Sequence, residues 1–346
     1  MNFNSQITIR NKTIGPGNRP YIIAEMACAH DGSFEKAKQI IDASVAAGAD
    51  ATQLQFFVPE CTVTPHHEAF GILQDIVFTA EEWTELFNYS RSKDIDVWVC
   101  TYDVPSVELA VKLGADGIKL NSADLMNPDV VVAVAKSGIP FTLGTGASTV
   151  DEVRSGLQLA EDNGAKDVVL MQGVQNFPTK NEDLHISRMV MLRNEFEGLP
   201  VGYADHTDGD DPFGKIIDLV AVGLGANLIE KHITIDRSEK GIDYQAALEP
   251  EEYKLFVANI HKAFVAFGTH EVRPFTPSDL KYRKFQKKGV VAGRDIASGE
   301  TITRADVEFI RNVEPGVAPI NFPELEGKKA ARDIKKFENI VHDDVA

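Results

Sequence analysis

The sequence predicts an α/β fold: a (β/α)8 TIM barrel followed by a small, β-rich C-terminal domain. Three observations predict it. Between residue 20 and about residue 268, short apolar runs alternate with amphipathic helical stretches, and the alternation repeats eight times. The apolar runs are continuous, as parallel strands buried on both faces require. After Gly268 the texture changes to short β-type runs broken by Gly and Pro. An open, doubly wound sheet is the rival, but eight units without a G-x-G-x-x-G turn count against it.

Each element follows in order. The first 19 residues, with "QITIRNKTIGPG", read as a hairpin that closes the lower end of the barrel. The eight strands are "YIIAEMA" (21–27), "TQLQFFV" (52–58), "DVWVCTYD" (96–103), "GIKLNSA" (117–123), "PFTLGTG" (140–146), "DVVLMQGV" (167–174), "PVGYADHT" (200–207) and "LIEKHITI" (228–235). A helical stretch follows each of them, from "SFEKAKQIIDASVAAGA" (33–49) to "EPEEYKLFVANIHKAFVAFG" (249–268). Helices ending in "AAGAD", "KLGAD", "NGAKD" and "GLGAN" carry a glycine stop just before the next strand. The barrel therefore spans residues 1–268. Residues 269–286 have two prolines, several cations and no clear periodicity, and read as an ordered linker. Residues 287–346 form the small domain, too short to be very stable alone.

Composition removes whole classes of function. A net charge of −17 leaves no basic field for general nucleic-acid binding. A small anionic substrate stays open, because a metal ion or a few cations make a local positive pocket. No apolar run approaches the ~18 residues of a membrane span, and the polar N-terminus lacks a signal-peptide core. The three cysteines, Cys28, Cys61 and Cys100, show no C-x-x-C spacing. A reducing, cytoplasmic setting without disulfides is expected.

Barrel enzymes work at the C-terminal ends of their strands. Those ends carry Glu25, Gln53, Gln55, Thr101, Asp103, Lys119, Ser122, Thr145, Gln175, Asp205, His206 and His232. His206 and His232 end adjacent strands, and two neighbouring imidazoles can share one divalent cation. Glu25 is a carboxylate at the end of an apolar strand. It must be paired with Lys119 or Lys231, coordinated, or protonated, and it could act as a base or position a water. Lys119 sits inside an apolar strand, as an ion-pair partner or an anion holder. The pair His66–His67 reads as exposed and structural. The basic run Lys281, Arg283, Lys284, Lys287, Lys288 and Arg294 reads as a solvated face, or as positive potential for an acidic barrel mouth.

The stretches "IIAEMACAHDGSFEKAKQIIDASVAAGADATQLQFF", "VGYADHTDG", "IEKHITID" and "GIDYQAALEP" resemble the sialic acid synthase (nonulosonate synthase) family. The likeness runs from about residue 7 to the end, and its last part resembles the family's antifreeze-like SAF domain. The resemblance implies condensation of phosphoenolpyruvate with an N-acylated hexosamine, or its 6-phosphate, to a nine-carbon 2-keto acid with release of phosphate. It implies a divalent cofactor, Mn2+ or Mg2+, on His206 and His232, with Glu25 catalytic beside them. It places phosphoenolpyruvate at Gln53, Thr101, Lys119, Ser122 and Gln175. It places the sugar at Gln55, Asp124, Phe177, Asp243 and Arg311. It also implies a domain-swapped homodimer in which Arg311 reaches the partner's site.

Several positions depart from the family pattern. A lysine is replaced by Gln53, an asparagine by Ala29, serines by Gly144 and Ala204, an asparagine by Gln175 and a tyrosine by Phe177. Losing a cation and hydroxyls weakens a phosphate cradle, since each charge-assisted hydrogen bond contributes about 1.5–3 kcal/mol. Two alternatives therefore stand beside the synthase: a metal-dependent pyruvate aldolase or lyase, and a non-catalytic sugar-binding relative.

Overall fold

The computed structural model describes residues 1–269, 271–314 and 316–346. It divides into two compact units, Met1–Gly268 and Thr269–Ala346.

In the first unit, eight parallel strands close on themselves: β3 (Tyr21–Glu25), β4 (Ala51–Phe56), β5 (Asp96–Thr101), β6 (Gly117–Leu120), β7 (Phe141–Gly144), β8 (Val168–Gly173), β9 (Val201–Asp205) and β10 (Leu228–Ile233). Strand β10 pairs with both β9 and β3, which completes the circle. The continuous apolar runs are the reason: β3, β5, β8, β9 and β10 are buried at every position. The glycine stops work as their sequence indicates. Gly48 and Gly114 end their helices in the left-handed region, at φ of 80° and 74°, which costs a glycine little.

The hairpin β1 (Ile7–Ile9) and β2 (Lys12–Ile14) plugs the N-terminal end. Its Ile7, Ile9 and Ile14 pack with Tyr21, Trp98, Met171 and Leu228 as a floor to the barrel. Trp98 lies so close over Gly117 that a Cβ there would come within 2.3 Å of the indole. The plug is tied down at its rim, where Lys12 Nζ and the Tyr21 hydroxyl both donate to Asp96, at 2.8 and 2.7 Å.

The outer helices are less complete than the periodicity suggests. The stretch 181–198 yields a 3-10 turn, Asn181–Asp183, and the α-helix Arg188–Glu195, and 211–226 yields the α-helix Asp218–Gly223. The connection after β4 instead holds two extra short helices, α2 (Pro59–Thr62) and α3 (Phe70–Ile76).

In the second unit, part of the expected linker is a helix, Pro277–Gln286. Thr276 and Asp279 form a capping box at its start, and Pro277 occupies its first turn. Among the described residues, the remainder has one strand pair, Gly289–Ala292 with Val307–Ile310, and isolated bridges such as Ile296 to Ile334. Its own core contains Val290, Ile302, Phe322, Leu325, Ile334 and Ile340.

Candidate active site

The C-terminal ends of the strands open into a cavity of about 380 Å³. Its polar lining comes from Glu25, Gln55, Tyr102, Lys119, Asn121, Gln175, His206, His232 and Asp243. A much smaller recess, sharing Lys119, Asn121, Gln175 and His206 with it, runs towards Ser122, Gly144, Ala204 and Glu230.

Strand periodicity decides which groups meet. In β10, Glu230 and His232 are two residues apart and share the inner face, while Lys231 points the other way. Lys119 Nζ bridges two carboxylates, Glu230 at 2.6 Å and Glu25 at 3.1 Å. The Gln53 amide donates to both of the same carboxylates, at 3.2 Å to Glu230 and closer to Glu25. Both carboxylates are almost fully buried. Burial, reinforced by the nearby charge of Glu230, raises the Glu25 pKa to about 7 against the pull of Lys119. Burial works to lower the Lys119 pKa, yet Glu230 and Glu25 more than offset it and hold the ammonium charged. The Ala27 N–H donates to the other Glu25 oxygen at 2.7 Å, which fixes the carboxyl's orientation.

His206 and His232 face each other with ring centroids 5.1 Å apart. His206 Nδ1 lies 2.6 Å from the Val174 carbonyl, so it carries the proton and leaves the Nε2 lone pair free. Among the described residues, neither nitrogen of His232 has a hydrogen-bond partner. Burial lowers the pKa of both rings. Lys119 adds to this for His206, and His206 and Lys119 add to it for His232. Two neutral imidazoles with free lone pairs fit a divalent cation. No cluster of three or more His, Cys, Asp or Glu side chains is placed to hold a metal among the described residues. A metal here would take its remaining ligands from waters and substrate oxygens. Phe177 covers the pair, with its centroid 4.4 Å from the His206 ring and 5.9 Å from the His232 ring.

The other predicted site residues divide. Gln55, Gln175, Phe177 and Asp243 line the main cavity, and Ser122 lines the small recess. Gln55 Nε2 lies 3.4 Å from Cys28 Sγ. Burial raises the Asp243 pKa. Gln53 stands behind the cavity wall, holding the two glutamates rather than facing a ligand. Thr101 is not brought to the cavity. It is in register with Phe56 and Leu120, which face the helix layer, and its hydroxyl is buried without a partner. Tyr102, one residue on, takes the place at the wall. Asp124 is also absent from the lining: its carboxylate accepts from Asn127 Nδ2 at 2.9 Å and serves the turn. Arg311 belongs to the second unit, where its Nε donates to the Gln286 carbonyl at 3.2 Å. Asp103 and Asp205 are structural, the first capping a helix and the second pairing with Lys231. His67 is exposed, its Nδ1 accepting from the Ala69 N–H at 3.1 Å.

The sequence reading missed Glu230, Tyr102 and Asn121. For Glu230 the signal was present: an acidic residue in an apolar strand, two positions before His232. It also missed the apolar wall made by Ala69, Ile72, Leu73, Ile76 and Ile242.

Comparison with known proteins agrees with this fold. The NeuB family matches residues 40–272, and the SAF domain matches residues 287–346. The N,N'-diacetyllegionaminic acid synthase of Legionella pneumophila is 28% identical over 332 residues, covering 91% of each chain. The pseudaminic acid synthase of Helicobacter pylori is 27% identical over 340 residues, covering 94% of this chain and 98% of that one. Among solved structures, the N-acetylneuraminic acid synthetase of Leptospira borgpetersenii superposes with a TM-score of 0.75 at 28% identity, covering 82% of this chain and 97% of that one. The eight-stranded barrel and the C-terminal unit match these relatives along most of their length, and the chain belongs to the NeuB family, with a C-terminal SAF domain.

Proposed function

We propose that the protein is a nonulosonic acid synthase that condenses phosphoenolpyruvate with an N-acylated hexosamine, or its 6-phosphate, and releases phosphate. One observation carries this reading: two imidazoles with free lone pairs, the buried Glu25 and the lysine that bridges it to Glu230 converge on one cavity at the strand ends. His206 and His232 hold a divalent cation, Mn2+ or Mg2+. When bound, that ion supplies Lewis acidity to the aldehyde oxygen of the open-chain sugar.

The chain's own groups do the rest. Carbon 3 of phosphoenolpyruvate forms the new bond to the sugar's aldehyde carbon, whose oxygen takes a proton. Positive charge then develops at carbon 2, where water adds. Glu25, with its pKa near 7, is suited to orient that water and take its proton at neutral pH. Lys119, Ser122 and Gln175 face the donor's anionic end. The C–O bond at carbon 2 breaks and phosphate leaves. Phe177 and the floor of buried side chains limit access of bulk water. The protein works in the cytoplasm as a homodimer, in which the SAF domain presents Arg311 to the partner's barrel.

The test is phosphate release from phosphoenolpyruvate with Mn2+, against a panel of N-acyl hexosamines and their 6-phosphates. Sugar-dependent release is expected. Absence of release, together with no phosphoenolpyruvate binding by calorimetry, ends the reading. One observation favours a second reading, a metal-dependent pyruvate aldolase. Lys119 is already committed to two carboxylates, and Gln53 adds no charge. Cleavage of a nonulosonic acid to pyruvate, without any phosphate dependence, would establish it.

A further inference from the structure

Two loops meet at the cavity wall, and both hold unusual backbone. The turn after β3 places Ala27 and Asp31 at φ of 46° and 49°. The loop after β10 places Lys240 and Asp243 at φ of 52° and 62°. Nine non-glycine residues among those described have such a positive φ, and these two loops hold four of them. Side chains disfavour this left-handed region, so the conformation persists where surrounding contacts over-determine it.

Those contacts converge on Asp31. Its Oδ1 accepts from the Ile242 N–H at 2.8 Å, across 211 positions of sequence. Its Oδ2 accepts from Lys36 Nζ at 2.7 Å, and the same ammonium donates to Glu239 at 2.7 Å. The carboxylate lies against Gly241, where a Cβ would come within 2.2 Å of Oδ2. Only glycine admits that approach. Arg237 pairs with Glu252 and ties down the start of the same loop.

Asp31 is outside the cavity lining, but what it holds is not. Ile242 and Asp243 line the cavity, and Ile242 packs on Cys28 in the facing turn. That turn also supplies the Ala27 N–H that fixes Glu25, at 2.7 Å. Burial raises the Asp243 pKa, and the Cys28 N–H works against it by favouring the carboxylate. We infer that Asp31 is a positioning residue: through Ile242 and Gly241 it clasps the loop 236–246 to the turn 26–32, and so fixes where Asp243 stands in the wall. Its effect on catalysis rests on the synthase reading; the clasp itself does not.

The three cysteines make the test direct. Cys61 is exposed, Cys28 is buried against Ile242, and Cys100 is fully buried in β5. The full chain is labelled with N-ethylmaleimide, and the rate at each cysteine is read by peptide mass spectrometry. Asp31→Ala and Gly241→Ala should each speed Cys28 labelling about tenfold, as loss of a hydrogen bond to a charged group implies, with Cys61 and Cys100 unchanged. Asp31→Asn keeps an oxygen for the Ile242 N–H and should speed it roughly threefold or less. In the Mn2+-dependent condensation assay, Asp31→Ala should raise the acceptor KM about tenfold and leave kcat within about twofold, with Asp31→Asn restoring most of the affinity. Unchanged Cys28 labelling in both Asp31→Ala and Gly241→Ala overturns the inference. So does a joint rise at Cys28 and Cys100, which marks general unfolding, or a loss confined to kcat. Faster Cys28 labelling in a protein that neither releases phosphate nor binds phosphoenolpyruvate keeps the clasp and ends the synthase reading. Condensation with wild-type labelling and KM in Asp31→Ala does the reverse.

Discussion

Two buried charge clusters stand back to back across strand β10. Each contains two carboxylates and one lysine. On the inner face, Lys119 joins Glu25 and Glu230. On the outer face, Lys231 joins Asp205 and, at 3.3 Å, Asp218. Their settings differ. The outer trio is completely sealed, and Lys231 also donates to the Gly214 carbonyl at 3.0 Å. The Tyr203 and Thr207 hydroxyls saturate Asp205. The inner trio has fewer neutral partners and touches a cavity. The comparison teaches that charge content alone does not mark a functional site. A cluster sealed from any cavity holds strands together, whereas one left open towards a cavity can exchange protons and bind a ligand.

The largest expected effect breaks the inner side alone. Replacing both His206 and His232 by Ala should abolish Mn2+ binding by equilibrium dialysis and reduce condensation below detection, with little change in the far-UV spectrum. Unchanged metal stoichiometry would remove the proposed role of the pair.

The two lysines separate stability from activity. Lys231→Met leaves two carboxylates buried without their cation and should cost about 3–5 kcal/mol of unfolding free energy in a denaturant titration. Lys119→Met should cost less than half as much, because its partners adjoin the cavity, but should lower kcat/KM by about 10²–10³. Equal destabilisation by the two substitutions would erase the distinction drawn here.

A pH profile sharpens the inner cluster. With a Glu25 pKa near 7, kcat/KM should rise as pH passes through about 7 and the carboxyl loses its proton. Glu25→Gln should give a low, flat profile. The stability term has the opposite sense. A carboxyl whose pKa is raised on folding contributes stability below its unfolded value, and that contribution is lost as pH rises through about 7.

The smallest effect concerns the outer cluster. Burial, with Asp205 nearby, raises the Asp218 pKa to about 7 despite Lys231. The same sign applies, so this contribution is lost between about pH 4 and pH 7. Lys231 holds the Asp205 pKa down against burial, so its contribution is present above the unfolded value and lost only in stronger acid. Asp218→Asn should therefore flatten the fall in stability from pH 5 to pH 8 by about 1–2 kcal/mol, read from denaturant midpoints, with condensation activity retained.

Much was legible in the sequence because it depended on short-range pattern. Continuous apolar runs and glycine stops specify eight strand–helix units, and a fixed chain direction puts Glu25, His206 and His232 at one end of the barrel. The hairpin's alternating isoleucines make it a plug for the same local reason. Tertiary structure decided what depends on register and on contacts between distant segments. Lys119 meets Glu230 across 111 positions of sequence. A one-residue offset puts Thr101 on the helix side and Tyr102 at the wall. Glu25 chooses Lys119 over Lys231 because Lys231 lies on the outer face of its strand, and no composition or spacing states that. The apolar wall arises from a short helix in a connection and an isoleucine 170 positions away from Ile72, brought together only when the barrel closes. Periodicity says that a strand has two faces; the closed barrel determines which is inside.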